Sequence, residues 1–237
     1  PAPLYHNAGF GMMMTSISIG AHLVLMPRFD PEGVLSEIER VRATWVYLVP
    51  TMMNRIWELG EERRAAHDVS SLKILWHLAA PCPPWLKEAF IHWIGPEKVL
   101  ELYGGTEGQA STTITGTEWL QHRGSVGTVT AGEIQILDDE GRVLPAGEVG
   151  EIYMRSDPAK PPTYRYIGAT AKSLPGGWES LGDLGWFDED RFLYLADRRS
   201  DMVLVGGSNV YPAEVEAAID EFPGVLSCAV IGLPDGD

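Results

Sequence analysis

Apolar residues in the first hundred positions come in short solid blocks. HLVLM (22–26), TWVYLVP (44–50), KILWHL (73–78) and KVLELY (98–103) each predict a buried strand. Between the blocks the apolar positions change to helical spacing. Asp30 followed by Pro31 is a helix start, and Val34, Leu35, Ile38 and Val41 continue one face from it. TMMNRIWEL (51–59) and PPWLKEAFIHWI (83–94), the latter opened by prolines, predict two further helices. Strand and helix alternating in this way, with nearly continuous apolar strands, indicate an α/β fold with a covered parallel sheet.

The pattern changes after about residue 123. EIQILDDEGRVL (133–144) predicts two strands around an Asp-Glu-Gly turn, and EVGEIYMRS (148–156) and RFLYLADR (191–198) add more. Few helical stretches separate them, so this part predicts a small antiparallel sheet or barrel. Residues 156–180, rich in Pro, Gly, Thr and Tyr, predict a long loop. After Asp201, MVLVGG (202–207) predicts a strand, Pro212 opens a helix, and VLSCAVIGL (225–233) predicts another strand, the start of an α+β unit. Residues 8–26 carry no charge. Thr15, Ser16, Ser18 and His22 dilute that run and Gly20 divides it, so it predicts a buried helix and a short buried strand rather than a membrane span. No basic region and cleavage site mark a signal peptide.

Composition narrows the function classes. The 237 residues suffice for a sizeable core. A net charge of −15 disfavours nucleic acid as a partner, because such proteins present a basic face. Backbone N–H groups can still bind anions locally. Cys82 and Cys228, the only cysteines, suggest neither a disulfide framework nor a zinc site and fit a reducing, cytoplasmic setting.

LYGGTEG (102–108) follows the fourth apolar block, where ligands of open parallel sheets bind. Its glycines permit close approach to the backbone. Thr106 can donate to a phosphate oxygen, Glu107 can hold a hard cation such as Mg²⁺, and Tyr103 offers a flat face to a base. An ordinary glycine turn fits equally well. In WESLGDLGWFDED (178–190), Asp183 lies between two glycines in a predicted turn, where it could grip a ribose diol or be a plain turn aspartate. LADRRSDMVLVGGSNVYPAEVE (195–216) sets arginines and aspartates before a glycine pair, and a solvated linker would look the same.

Taken together these stretches resemble the adenylate-forming superfamily of acyl-CoA synthetases, luciferases and peptide-synthetase adenylation domains. The resemblance runs in order through PLYHNAG (3–9), AAPCPP (79–84), YGGTEG, GSVG (124–127), GEVGEIYMRS (147–156), SLGDLGWFDED and the DRRSDM…GGSNVYPAEVE stretch. The wording is nearest to bacterial synthetases of fatty or steroid acids. It implies part of an α/β adenylate-binding subdomain at 1–123, a β-rich barrel-like subdomain at 124–197, a hinge at 198–201 and the start of a small α+β domain at 202–237.

The resemblance implies a carboxylate substrate, ATP/AMP, Mg²⁺ and coenzyme A. By it Glu107 is the Mg²⁺ residue, Thr106 contacts the AMP phosphate and Tyr103 lies against adenine. Ala79, Ala80 and Pro81 border the purine, Asp183 binds the ribose, and Arg198 reaches the ribose or phosphate. Gly104, Gly105 and His6 line the acyl pocket, although His6 could instead cap the next helix. Met12, Met13 and Met14 suit a greasy pocket or a helix core. Ser200 stands at the hinge and Gly206 and Gly207 beside the pantetheine tunnel. Several features depart from the family's pattern. The Pro-Lys-Gly phosphate loop and the C-terminal lysine do not appear, which implies an internal piece of a longer enzyme, the piece alone being inactive. Leu78 and Arg191 stand where glycine is usual, and Ser200 where Lys or Asp is. A non-catalytic nucleotide- or acyl-binding module, or an enzyme loading a carrier protein, remains an alternative.

Overall fold

The computed structural model describes residues 1–237 except 158, 160, 162, 199, 200, 206, 207, 221, 223, 226, 227 and 234–237. The chain divides into two units, Pro1–Thr106 with Ile114–Gln121, and Glu107–Thr113 with His122–Asp237.

The first unit contains α1 (Asn7–Ser18), α2 (Pro31–Val41), β1 (Trp45–Leu48), α3 (Pro50–Trp57), α4 (Glu61–Ala65), β2 (Ile74–Leu78), α5 (Pro84–Ile94), β3 (Val99–Gly104) and α6 (Gly116–Trp119). The sheet is parallel, ordered β1-β2-β3, with Leu48 opposite His77 and His77 opposite Glu101. Local chemistry places the helix starts. The Asp30 carboxylate accepts from Gly33 N at 2.7 Å and Pro31 occupies the first helical turn, a cap that contributes about 1 kcal/mol. Val34, Leu35 and Ile38 are buried as their spacing predicts. Prolines open α3 and α5 in the same way. The short α4 and α6 escaped the pattern. Helix α6 depends on a capping box: Thr115 Oγ1 accepts from Glu118 N, and the Glu118 carboxylate accepts from Thr115 N.

Burial alternates along β2 and β3 (Leu75, His77, Val99 and Glu101 are buried) instead of being continuous. One face of these strands is thus fully covered and the other half-covered, a finer picture than the apolar blocks implied. Two expectations fail here. Residues 22–26 form no strand, because no ladder pairs them among the described residues; Leu23, Val24 and Met26 instead line a cavity of about 330 Å³. Helix α1 exists but is not buried. Only Gly9 and Ser16 are enclosed, while Phe10 and Ile17 are 49% and 55% exposed.

The second unit is mainly antiparallel. Strands β4 (Ser111–Thr115), β5 (Ser125–Ala131), β6 (Glu133–Leu137), β7 (Gly150–Arg155), β8 (Lys172–Leu174), β9 (Trp178–Phe187) and β10 (Leu193–Arg198) run in the order β4-β5-β10-β9-β7-β6, with β8 on β9. A hairpin, β11 (Val203–Val205) and β12 (Ser208–Val210), and α7 (Pro212–Asp220) follow. After β6 the chain turns on Asp138, whose carboxylate accepts from Glu140 N and Arg142 N; the expected second strand shrinks to one bridge, Leu137 to Val143. The described residues of 225–233 form no strand, since no ladder partners them. Cys82 and Cys228 form no disulfide.

Candidate active site

In the first unit, the register Leu78↔Leu102 ends one residue before Ala79 and Tyr103. Both segments assigned to the nucleotide therefore stand at the carboxyl end of adjacent parallel strands, Ala79 just past β2 and Tyr103 in the last two residues of β3. This is where a strand-end site forms in α/β sheets. Ala79 has φ 78°, a left-handed conformation unusual for a residue with a Cβ. Leu78, beside it, has no positive φ; the position that favours glycine is Ala79. Tyr103 is half-buried and Thr106 exposed, so the hydroxyl at the end of the motif is accessible. Gly104 ends β3, and Gly105 and Thr106 follow it.

Beneath these loops lies a polar cluster that the strand pattern did not reveal. The register sets His77 beside Glu101 on the covered face, His77 Nδ1 3.9 Å from Glu101 Oε1. Lys87 reaches down from α5 and donates to Glu101 Oε2. Lys87 is 1% exposed and His77 wholly enclosed, with neither ring nitrogen hydrogen-bonded. Burial lowers the His77 pKa to about 4, and burial also lowers that of Lys87 against the opposing pull of Glu101. Burial pushes up the pKa of the nearby Cys82 thiol. A sequence signal existed. Two polar residues stand at matching depth in neighbouring apolar strands, and one lysine stands on an apolar helix.

His6 occupies the cap position of α1 but its ring makes no capping bond; it is exposed and packs at 4.6 Å against Tyr5. Met12 and Met13 line the 330 Å³ cavity, and Met14 is exposed.

Glu107 opens the second unit and is half-buried. Tyr166 Oη donates to Glu107 Oε1 at 2.8 Å, and Thr163 Oγ1 donates to the Glu107 carbonyl. Among the described residues no hydrogen bond engages the other carboxylate oxygen, and no group of three or more His, Cys, Asp or Glu is placed to share a metal. A single carboxylate fits Mg²⁺, which takes one or two protein oxygens and fills its octahedron with phosphate and water. Asp183, expected in a turn, lies within β9, its backbone opposite that of Arg198. The turn-like glycine signal has a cause: Gly182 has φ 84°, and the ladders on both sides of β9 shift register nearby. Arg191 has φ 68° in the Asp188–Phe192 turn, which explains why glycine suits that position; its guanidinium packs over the Phe187 ring at 4.2 Å. Ser200, Gly206 and Gly207 lie outside the described residues.

A family profile described as AMP-binding enzyme matches residues 1–159. The chain belongs to this family. AMP-binding relatives include a feruloyl-CoA synthase from Amycolatopsis, 34% identical over 99% of this chain and 48% of its own length. An amide bond synthetase from Marinactinospora thermotolerans superposes with a TM-score of 0.86 at 33% identity, covering 99% of this chain and 47% of the other. The o-succinylbenzoate CoA synthetase of Bacillus subtilis, solved with ATP and magnesium, superposes with a TM-score of 0.82 at 31% identity, covering 99% and 48%. The chain spans about half the length of the curated relatives it matches. Among the described residues no helix is long and apolar enough to cross a membrane.

Proposed function

We propose that this chain forms the nucleotide- and acid-binding part of an ATP-dependent acid–thiol ligase. In the first step a carboxylate oxygen attacks the α-phosphorus of ATP and pyrophosphate leaves. In the second a thiol sulfur attacks the acyl carbon and AMP leaves. The AMP-binding match supports the reading, together with the position of residues 79–81 and 103–106 at the same end of two adjacent parallel strands. The roles follow residue by residue. Residues 79–81 and Tyr103 border the purine, Thr106 donates to phosphate, Asp183 holds the ribose, and Arg198 approaches from the end of β10. Mg²⁺, held at Glu107 when bound, would offset the repulsion between carboxylate and triphosphate. His6, Gly104 and Gly105 border the acid, Ser200 is the hinge, and Gly206 and Gly207 border coenzyme A.

The acid is hydrophobic. Residues 5–14 contribute His6, Phe10 and three methionines and no Lys or Arg, so the segment offers a second carboxylate no cation to pair with. A relative named for a feruloyl substrate favours aryl acids over fatty or steroid acids; 2-succinylbenzoate, named in another, is also an aryl acid but carries a second carboxylate, so it supports the ring and not the single charge. Carboxylate-dependent ATP–pyrophosphate exchange on the intact protein, with an acid panel, tests this. Aryl or fatty acids are expected to lead, and Glu107→Gln to cost at least 100-fold, about 3 kcal/mol of transition-state stabilisation. Malonate or an amino acid with the highest kcat/KM would sink the substrate reading. Exchange within threefold of wild type in Glu107→Gln would remove Glu107 from the mechanism. Coenzyme A, a carrier protein and an amine as competing acceptors then decide the second step.

A further inference from the structure

The segment 163–166 belongs to no motif assigned above, yet it holds Glu107 at two points. Thr163 Oγ1 donates to the Glu107 carbonyl and Tyr166 Oη donates to Glu107 Oε1 at 2.8 Å. The segment is itself fixed to the sheet. Tyr164 Oη donates to Glu179 Oε2 on β9 at 2.7 Å, and the buried Gln109 donates from Nε2 to the same oxygen at 3.1 Å and to Tyr164 Oη at 3.3 Å. Tyr164 and Tyr166 pack edge to face, ring centres 4.9 Å apart. Gly132 also packs closely on the Gln109 backbone. Gly132 has φ 67°, and a Cβ there would collide with the Gln109 carbonyl. A continuous path of hydrogen bonds and ring contact thus leads from β9 through two tyrosines to one carboxylate.

We propose that Tyr166 is a positioning residue for Glu107: its hydroxyl holds one carboxylate oxygen so that the other is aimed at the magnesium of the ATP complex. This rests on the metal role proposed for Glu107. The physical reason is geometric. Mg²⁺ demands a nearly ideal octahedron with short bonds, and an untethered glutamate side chain samples several rotamers. A phenol donating to Oε1 selects one of them before the metal arrives, without adding a second negative charge. Groups that orient a metal's ligands in this way typically change metal affinity 10- to 100-fold when removed.

The test compares Tyr166→Phe, Glu107→Gln and the double variant in the intact protein. Tyr166→Phe removes one oxygen from a partly exposed ring, and a melting curve checks that the fold is kept. The first readout is Mn²⁺ affinity in the presence of a non-hydrolysable ATP analogue, followed by the EPR signal of free Mn²⁺. The second is the Mg²⁺ concentration giving half-maximal pyrophosphate exchange at saturating ATP and acid. Tyr166→Phe is expected to weaken both by about 10- to 100-fold, to recover its rate at high Mg²⁺, and to add nothing in the Glu107→Gln background. If Glu107→Gln weakens Mn²⁺ binding and Tyr166→Phe matches wild type, the positioning role is wrong while the metal role of Glu107 stands. If Tyr166→Phe lowers the rate equally at all Mg²⁺ concentrations, its role is merely structural and the proposal fails. If neither variant changes Mn²⁺ affinity, the metal role of Glu107 fails and the proposal falls with it.

Discussion

Single residues carry strain where the candidate site meets the sheet. Ala79 has φ 78°, where its Cβ approaches a backbone oxygen and costs on the order of 1 kcal/mol. Glycine has no such contact, so Ala79→Gly is expected to stabilise the chain by about 1 kcal/mol, less the extra freedom glycine gains on unfolding. Urea unfolding measures this directly. A variant less stable than wild type would mean that the alanine methyl makes packing contacts worth more than the strain. Arg191 differs, because its guanidinium regains energy over the Phe187 ring that glycine would forfeit.

At the scale of elements, α5 is fastened to β3 by a buried ion pair. Lys87 and Glu101 are both withdrawn from water, so each is tolerable only because the other is present. Lys87→Met leaves Glu101 buried and uncompensated and is expected to cost about 3–5 kcal/mol in urea unfolding. Adding Glu101→Leu removes the stranded charge and should recover most of the loss. A double variant no better than the single would show that the helix is held by something else. The same junction sets a pH dependence. His77 faces Glu101 from β3 and Lys87 from α5. Its folded pKa, lowered to about 4 from an ordinary 6.5, means that the unfolded chain binds a proton that the folded one refuses. The resulting stability is present above pH 6.5 and is lost as pH falls towards 4, at up to about 1.4 kcal/mol per pH unit and on the order of 3 kcal/mol in all. Stability of His77→Gln should therefore fall less steeply than wild type between pH 6.5 and 4. Parallel curves for the two proteins would refute the neutral buried histidine.

For the whole molecule, the balance of surface and core is uneven. Phe10, Met14 and Ile17 recur at helical spacing along α1 and all are exposed, with Tyr5 and Ile19 extending the patch. A contiguous apolar face of this kind binds amphiphilic dyes and partners. Dye fluorescence with the 237-residue chain should be strong and should drop severalfold in Phe10→Ser/Ile17→Ser, with thermal stability unchanged. Unchanged fluorescence would place the dye elsewhere, for example in the cavity behind Met12 and Met13. The net charge of −15 acts on solubility and partner choice without selecting the fold.

Much of this protein was determined by local chemistry in the sequence. Asp30-Pro31 starts α2, prolines start α3, α5 and α7, and dense apolar blocks at 44–50, 73–78 and 98–103 make three parallel strands, because capping and burial act over a few residues. The motif order was equally legible, and it gave the family. What depended on partners distant in the chain was not. Residues 22–26 look like a strand but pair with none, and α1 looks like core but stands uncovered. Asp183 looks like a turn and is a strand residue, because glycine signals a positive φ without saying whether it belongs to a turn or to a bulge. The Lys87–Glu101–His77 cluster and the grip of Tyr166 on Glu107 join residues 14, 24 and 59 positions apart. No periodicity records such separations. Only the register of β2 on β3 and the path of the loop before β8 bring these groups within hydrogen-bonding or charge range, where burial makes each contact count.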